Sequence, residues 1–349
     1  MIKKKNTRKI NIGGVEIGGD SVISVQSMCN TDTRDIKATV RQIEMLTDAG
    51  CEIIRVAAPD KQAAEAILEI KKQIKIPLIA DIHFDYRLAI VSIKNGADAL
   101  RLNPGNIGKR EFVEKVVNAA KERHIPIRIG VNAGSLEKDL SHKPEELPDS
   151  IIESAMRHIK ILENLDFDLI KVSLKASDVP TMVAAYKKFA AISDYPLHLG
   201  VTEAGTLKSG LIKSSMGIGS LLLEGIGDTI RISLTEDPIE EVYAGWEILK
   251  ALNLRKKGLS LISCPTCGRC TIDLINLAKN VEEKFKNIEK PLTIAVMGCP
   301  VNGPGEAKFA DIGISGANGE GYIFKKGEVV AKIPFNDLIT RLEKEIMPD

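Results

Sequence analysis

Between residues 20 and 252 the chain alternates short β-rich runs with amphipathic helical stretches, eight times over. The runs are "SVISVQSM" (21–28), "CEIIRVA" (51–57), "IPLIADI" (76–82), "ADALRLN" (97–103), "IPIRIGV" (125–131), "FDLIKVSL" (167–174), "YPLHLGV" (195–201) and "GDTIRISL" (227–234). Helical periodicity fills the gaps between them, as over 37–49, 61–73, 110–123, 149–164 and 180–193. Residues 210–225 read as a helix, a break and a short second helix, and 238–252 as the last helix of the series. Eight such units over roughly 250 residues are the count and length of a (β/α)8 barrel. The rival, an open doubly wound sheet, usually has fewer strands and a glycine-rich first βα turn. Here that turn is "QSMCNTDT", without a glycine.

A chain of 349 residues suits two domains better than one. The fold expected is α/β: a TIM barrel over 1–252, a polar linker "NLRKKGLS" over 253–260, and a small α/β domain over 261–349. Within the second domain the pattern predicts a strand at 260–263, a helix at 271–286, a strand at 291–297, two or three short strands over 308–332 and a helix at 335–346. The 48 basic residues nearly balance the 47 acidic ones, which gives no support to a nucleic-acid partner. Aromatic residues are 4% of the chain, too few for a base-stacking platform. No run of 18 apolar residues occurs to span a membrane, and the basic N-terminus lacks the apolar core of a secretory signal. The cytoplasm is the compartment expected. There, clustered cysteines bind metal or do redox work more often than they form structural disulfides.

Three of the six cysteines crowd into "SCPTCGRC": Cys264, Cys267 and Cys270. Cys299 follows in "MGCPVNGPGE" (297–306), while Cys29 and Cys51 lie far off. Three readings compete. A structural zinc site takes four Cys or His ligands and suits C-x2-C elements. A thioredoxin-like dithiol leaves Cys299 idle. An iron–sulfur cluster takes cysteine thiolates, and the glycine-rich loop after Cys299 has amides to offer its sulfur atoms.

The barrel strands end in charged and polar side chains, where barrel enzymes build their sites. Arg55 ends the second, Asp81 and His83 the third, and Arg101 and Asn103 the fourth. Arg128 and Asn132 end the fifth, Ser173 and Lys175 the sixth, and Arg231 and Ser233 the eighth, with Glu203 just past the seventh. Any one of these alone reads as a solvated strand-end charge. Four arginines and a lysine converging on one mouth suit a ligand with several negative charges, since guanidinium forks match phosphate oxygens.

With "SCPTCGR" and "MGCPVNGPGEA" stand "VQSMCNTDT", "ADIHFDYRLA", "RLNPGNIG", "RIGVNAGSL", "KVSLKASD", "HLGVTEAG" and "DTIRISL". In this order, over nearly the whole chain, they resemble the 4-hydroxy-3-methylbut-2-enyl diphosphate synthases of isoprenoid biosynthesis. The resemblance implies a 4Fe-4S cluster held by Cys264, Cys267, Cys299 and Glu306, with Cys270 outside the set. A carboxylate is a harder and more easily displaced ligand than a thiolate, so it leaves one iron open to substrate. The substrate implied is 2-C-methyl-D-erythritol 2,4-cyclodiphosphate, reductively opened and dehydrated with two single electrons from flavodoxin or ferredoxin. Its diphosphate is assigned to Arg55, Arg101, Asn103, Arg128, Asn132, Lys175 and Ser233, with His83 and Arg231 beside them. Arg231 has an alternative place in an ion pair inside the barrel. Glu203 is the candidate acid, its pKa expected to rise if it is buried among phosphates. The resemblance also points to a head-to-tail homodimer with shared active sites. Two other readings remain: an electron-relay protein with a barrel scaffold, and a barrel enzyme on another phosphorylated substrate with a zinc module.

Overall fold

The computed structural model describes residues 2–286, 288–299, 307–317 and 319–347. It separates into two compact units, Met1–Arg255 and Lys256–Asp349. In the first, a hairpin of β1 (Ile10–Ile12) and β2 (Val15–Ile17) precedes eight strands. These are β3 (Ser24–Met28), β4 (Ile53–Ala57), β5 (Leu78–Asp81), β6 (Ala99–Arg101), β7 (Ile127–Asn132), β8 (Ile170–Lys175), β9 (His198–Leu199) and β10 (Thr229–Ile230). Neighbours in sequence pair in parallel from β3 to β8, and β10 pairs with both β9 and β3. A parallel bridge from Val172 to Leu197 joins β8 to the approach of β9 and closes the ring. The eight alternations are thus a TIM barrel.

Helices α1 (Ile36–Ala49), α2 (Lys61–Lys71), α3 (Tyr86–Lys94), α4 (Arg110–Glu122), α5 (Leu147–Glu163), α6 (Val179–Ile192), α7 (Leu207–Leu223) and α8 (Pro238–Ala251) follow the strands. Aspartates start five of them. Asp35, Asp60, Asp85, Asp178 and Asp237 each accept a hydrogen bond from a first-turn backbone amide, which closes the turn from strand to helix. Helix α7 runs unbroken through Gly210, Gly217 and Gly219, where the sequence reading expects an interruption. Packing overrides helix propensity here. A Cβ on Gly217 would stand 2.8 Å from Met182 Cε and 2.9 Å from Val201 Cγ2, so only glycine lets α7 lie this close to its neighbours.

The β1–β2 hairpin is absent from the sequence reading. Its turn is Gly13-Gly14, both with positive φ (53° and 98°), a two-residue connection that glycine adopts without strain. Ile10, Ile12 and Ile17 pack on Ile53, Ile79 and Ala99 at the entry ends of β4, β5 and β6. The hairpin therefore plugs the bottom of the barrel with apolar side chains and leaves the opposite end open.

The second unit is a five-stranded sheet in the order β11 (Leu259–Ser263), β12 (Leu292–Met297), β13 (Ile312–Ala317), β14 (Glu320–Lys325) and β15 (Glu328–Pro334). The first three strands run parallel and the last two antiparallel. Helices α9 (Leu274–Phe285) and α10 (Leu338–Ile346) supply Leu277, Val281, Phe285, Leu338 and Leu342 to its core, against Ile294, Ile314 and Ile323.

Truncating the plug is expected to loosen the barrel. Ile12 is fully buried, so Ile12→Ala should cost about 2–5 kcal/mol. Denaturant titration should show the barrel's transition moving to lower concentration, and an unchanged midpoint would deny the hairpin its structural role.

Candidate active site at the barrel mouth and a thiol edge

The strand alternation that sends Ile53 and Ile79 into the plug sends Arg55 and Asp81 inward two residues later. At the C-terminal ends of the strands a cavity is lined by Arg55, Asp81, His83, Arg101, Arg128, Asn132, Lys175, Arg231 and Ser233. Gly130, Ser173 and Thr202 complete its wall. Asn103 and Glu203 are not in this lining. Asn103 grips the Gly130 peptide instead, its amide oxygen accepting from Gly130 N at 2.9 Å and its Nδ2 donating to Gly130 O at 3.0 Å. Glu203 is exposed, with φ at +52°, a backbone conformation a glutamate seldom adopts.

The cavity holds more positive charge than its carboxylates balance. Asp81 stands 3.5 Å from Arg55 Nε and 3.3 Å from Arg101 Nη1, so one carboxylate serves two guanidinium groups. Burial pushes the Asp81 carboxyl up, but Arg55, Arg101 and Arg128 outweigh burial and hold it below its ordinary value. Arg55 also donates to the Met28 sulfur from Nη2 at 2.8 Å, a weak acceptor. Burial, reinforced by Arg231 and Arg101, draws its guanidinium down to about 10. Arg231 reaches Glu241 only at 3.9 Å, and burial raises that carboxyl.

Arg128 is 2% exposed, and its Nε and Nη1 have no hydrogen-bond partner. Burial, then Arg55 and Arg101, push its pKa well down, and burial with Arg231 and Arg128 does the same to Lys175. Unpaired buried donors are costly unless a ligand satisfies them. Two glycines make room for this crowd. A Cβ on Gly130 would lie 2.8 Å from Arg101 Nε, and one on Gly200 2.7 Å from Lys175 Nζ. His83 sits at the rim, 57% exposed and 4.0 Å from Asp81.

The sequence reading does not include Gly130, Thr202, Met28 or Glu241. Only the glycine left a trace, as the residue before "VN" at the end of a strand. Glu241 arrives from α8, far along the chain from the arginine it faces.

In the second unit, β11 and β12 are parallel neighbours with Ser263 opposite Val296, so both strands end at the same edge. Cys264 follows the first strand directly, and Cys299 lies two residues beyond the second. Gly298 N donates to Cys264 Sγ at 3.2 Å and draws the two loops together. Cys267 is exposed, and the Arg269 backbone amide, helped by the Arg269 side chain, holds its thiol below the ordinary value. Cys270 Sγ donates to Ile272 O at 3.3 Å and lies against Gly298, where an added Cβ would stand 2.7 Å from it. Among the described residues no three Cys, His, Asp or Glu side chains stand together as a formed metal site. Glu306 lies outside the described residues. In chemistry the donors fit an iron–sulfur cluster, with thiols on one edge and a backbone amide aimed at sulfur.

Two family models cover the chain, the GcpE TIM-barrel domain over residues 7–246 and the GcpE protein C-terminal domain over 260–348. A protein of Geobacter sulfurreducens named 4-hydroxy-3-methylbut-2-en-1-yl diphosphate synthase (flavodoxin) is 60% identical over 98% of both chains. One of Clostridium perfringens with the same name is 57% identical over 99% of both. Among solved structures, the dihydropteroate synthase of Stenotrophomonas maltophilia aligns with a TM-score of 0.54 at 13% identity, covering 71% of this chain and 97% of that one. That likeness concerns the barrel fold alone. No helix among the described residues is long and apolar enough to cross a membrane.

Two outcomes are expected. Inorganic pyrophosphate at about a hundred times its Kd should stabilise the barrel by about 2.7 kcal/mol, read as a rise in melting temperature. Gly130→Ala, which crowds Arg101, should erase most of that rise while leaving the ligand-free melting point near its original value. In the second unit, Cys270→Ser should retain iron after anaerobic purification and Cys299→Ser should lose it. Colourless Cys270→Ser with brown Cys299→Ser would reverse the assignment.

Proposed function

The chain belongs to the GcpE family, and from that premise we propose how it makes 4-hydroxy-3-methylbut-2-enyl diphosphate from 2-C-methyl-D-erythritol 2,4-cyclodiphosphate. The reaction opens the cyclic diphosphate, expels a hydroxyl as water and takes up two electrons. The observation that carries the reading is Arg128, buried with two N–H donors unanswered in a cavity already short of negative charge. A diphosphate supplies both the acceptors and the charge that Arg55, Arg101, Arg128 and Lys175 lack.

Each side chain then has a task. Arg128 and Arg101 hold phosphate oxygens, and Arg101 is fixed for this by Gly130 O and Asp81. Arg55 balances the remaining charge, and Asn132 and Ser233 offer uncharged hydrogen bonds at the rim. Asn103, saturated by Gly130, shapes the wall and does not bind from it. Glu203 is the acid for the departing hydroxyl, carried at the mouth on a backbone held in an unfavourable conformation. Cys264, Cys267 and Cys299, with Glu306, would hold the 4Fe-4S cluster, which supplies the electrons one at a time when bound. Flavodoxin, printed in the relatives' name, is the donor we propose.

The site is also proposed to be shared between two chains. The arrangement proposed is a head-to-tail dimer, in which the thiol-bearing unit of one chain serves the barrel of its partner, as the family resemblance implies.

The test is anaerobic turnover of the cyclodiphosphate by protein carrying about four irons per chain. Arg128→Ala should weaken substrate binding about tenfold or more with iron unchanged, because a charge-assisted contact contributes about 1.5–3 kcal/mol. At substrate concentrations well below the Kd of the Arg128→Ala variant, mixing its chains with inactive Cys299→Ser chains should restore about a quarter of full activity, since half the random dimers hold one intact site of two. Absence of recovery after verified subunit exchange would place both halves of the site in one chain.

A further inference from the structure

Lys171 is 1% exposed and its Nζ has no hydrogen-bond partner. It lies on β8 two residues before Ser173 and four before Lys175, both of which line the cavity. Strand alternation puts all three on one face, so Lys171 points into the barrel about 13 Å along the strand from Lys175. Its register partner on β7 is Arg128. The middle of a TIM barrel is ordinarily filled by Val, Ile and Leu. A buried, unpaired lysine there is out of keeping with packing, and nothing assigned to the cavity so far uses it.

Its charged neighbours come from several strands. Arg128 on β7 and Arg55 on β4 repel a charge on Nζ, and His198 on β9 adds another titratable ring, bonded through Nδ1 to Thr229 Oγ1 at 2.8 Å. Lys175 lies farther along the same strand. Asp228, just before β10, is the one carboxylate that favours the charge. Both its oxygens are engaged: Oδ1 by Thr7 Oγ1 at 3.0 Å and Lys4 Nζ at 2.9 Å, Oδ2 by Leu197 N at 2.8 Å. Burial and these cations hold the Lys171 amine far below its ordinary pKa.

We propose that Lys171 is a positioning residue that takes up a proton when an anion fills the cavity above it, so that ligand binding and protonation are coupled. The idea rests on the reading of the cavity as an anion site. With the cavity empty, burial first and then repulsion from Arg128 and Arg55 disfavour the charged amine. A bound dianion offsets those cations and lifts the amine's pKa, and the ammonium then adds to the field that holds the ligand. The sign follows. Between the two pKa values, anion binding consumes protons, and affinity falls as pH rises through the ligand-bound value.

Sulfate is a suitable probe because it stays a dianion from pH 6 to 9. Titration calorimetry of the full chain in two buffers of different ionisation enthalpy counts protons taken up per sulfate. The original protein is expected to take up a substantial fraction of one proton, with affinity falling toward tenfold per pH unit. Lys171→Met should abolish the uptake and flatten the pH dependence. Lys171→Arg, charged throughout, should also abolish uptake but keep tight binding at high pH, so either variant that folds decides the matter. Sulfate binding without proton uptake, or uptake that persists in a folded variant, overturns the proposal while leaving the anion site standing. Absence of any sulfate or pyrophosphate binding removes both.

Discussion

Uncompensated positive charge at the open end of the barrel is the constraint around which the first unit is arranged. Arg55, Arg101, Arg128, Arg231 and Lys175 share Asp81 and a distant Glu241. Burying cations without partners costs free energy in an empty protein. The rest of the fold has to supply it. Below the charge, the β1–β2 hairpin closes the barrel with isoleucines, and around it eight helices bury an aliphatic shell that includes Leu46, Ile67, Ile151 and Leu249. The cations are placed by short parallel strands rather than by mobile loops, so their mutual repulsion cannot simply push them apart. Gly130 and Gly200 mark where backbone gives way to side chain.

Much of the architecture was legible because barrel strands and helices differ in period, and eight changes of period are hard to imitate. What escaped was decided by contacts distant in sequence. The hairpin carries three-residue strands, too short for periodicity, although Gly13-Gly14 between alternating apolar residues was a turn signal. The break expected in α7 came from glycine propensity, which close packing against Met182 and Val201 overrides. In the cavity, strand-end arginines were readable because a charged residue closing an apolar run has few other uses. Asn103 was readable as a strand-end amide, but not its commitment to Gly130. Glu203 gave no sign of standing exposed on a left-handed backbone. Lys171 was hidden because, inside "DLIKVSL", it resembles any lysine at the start of a strand.

The thiols show a different limit. Spacing alone could not choose between Cys270 and Cys299, because both lie within reach of the same loop. Parallel pairing of β11 with β12 brings the distant Cys299 to the edge where Cys264 emerges, and the Gly298 amide joins them. Cys270 packs against the same Gly298, where a Cβ would lie 2.7 Å from its sulfur, while its Sγ donates to Ile272 O. Sheet topology thus brings the distant Cys299 to this edge, which sequence proximity alone does not foretell.

Two arginines of the same unit show how a residue's surroundings separate support from function. Arg255 donates to Ile23 O, pairs with Glu52 and lies 4.6 Å over the Trp246 ring. Glu52 in turn accepts from Val25 N, so the group is closed by the fold itself at the strands' entry ends. Nothing there calls for a ligand, and its work is to hold the chain where it leaves the barrel. Arg128 is more deeply buried, has two donor nitrogens unanswered, and meets repulsion from Arg55, Arg101 and Arg231 that Asp81 only partly offsets. The folded chain does not complete that environment, and an anion does. The same criterion sets Lys171 apart from Lys71, which meets Asp98 at 2.5 Å at the barrel's edge. In this barrel the fully partnered Arg255 serves the scaffold, while the unanswered donors of Arg128 belong to the residues that line the cavity.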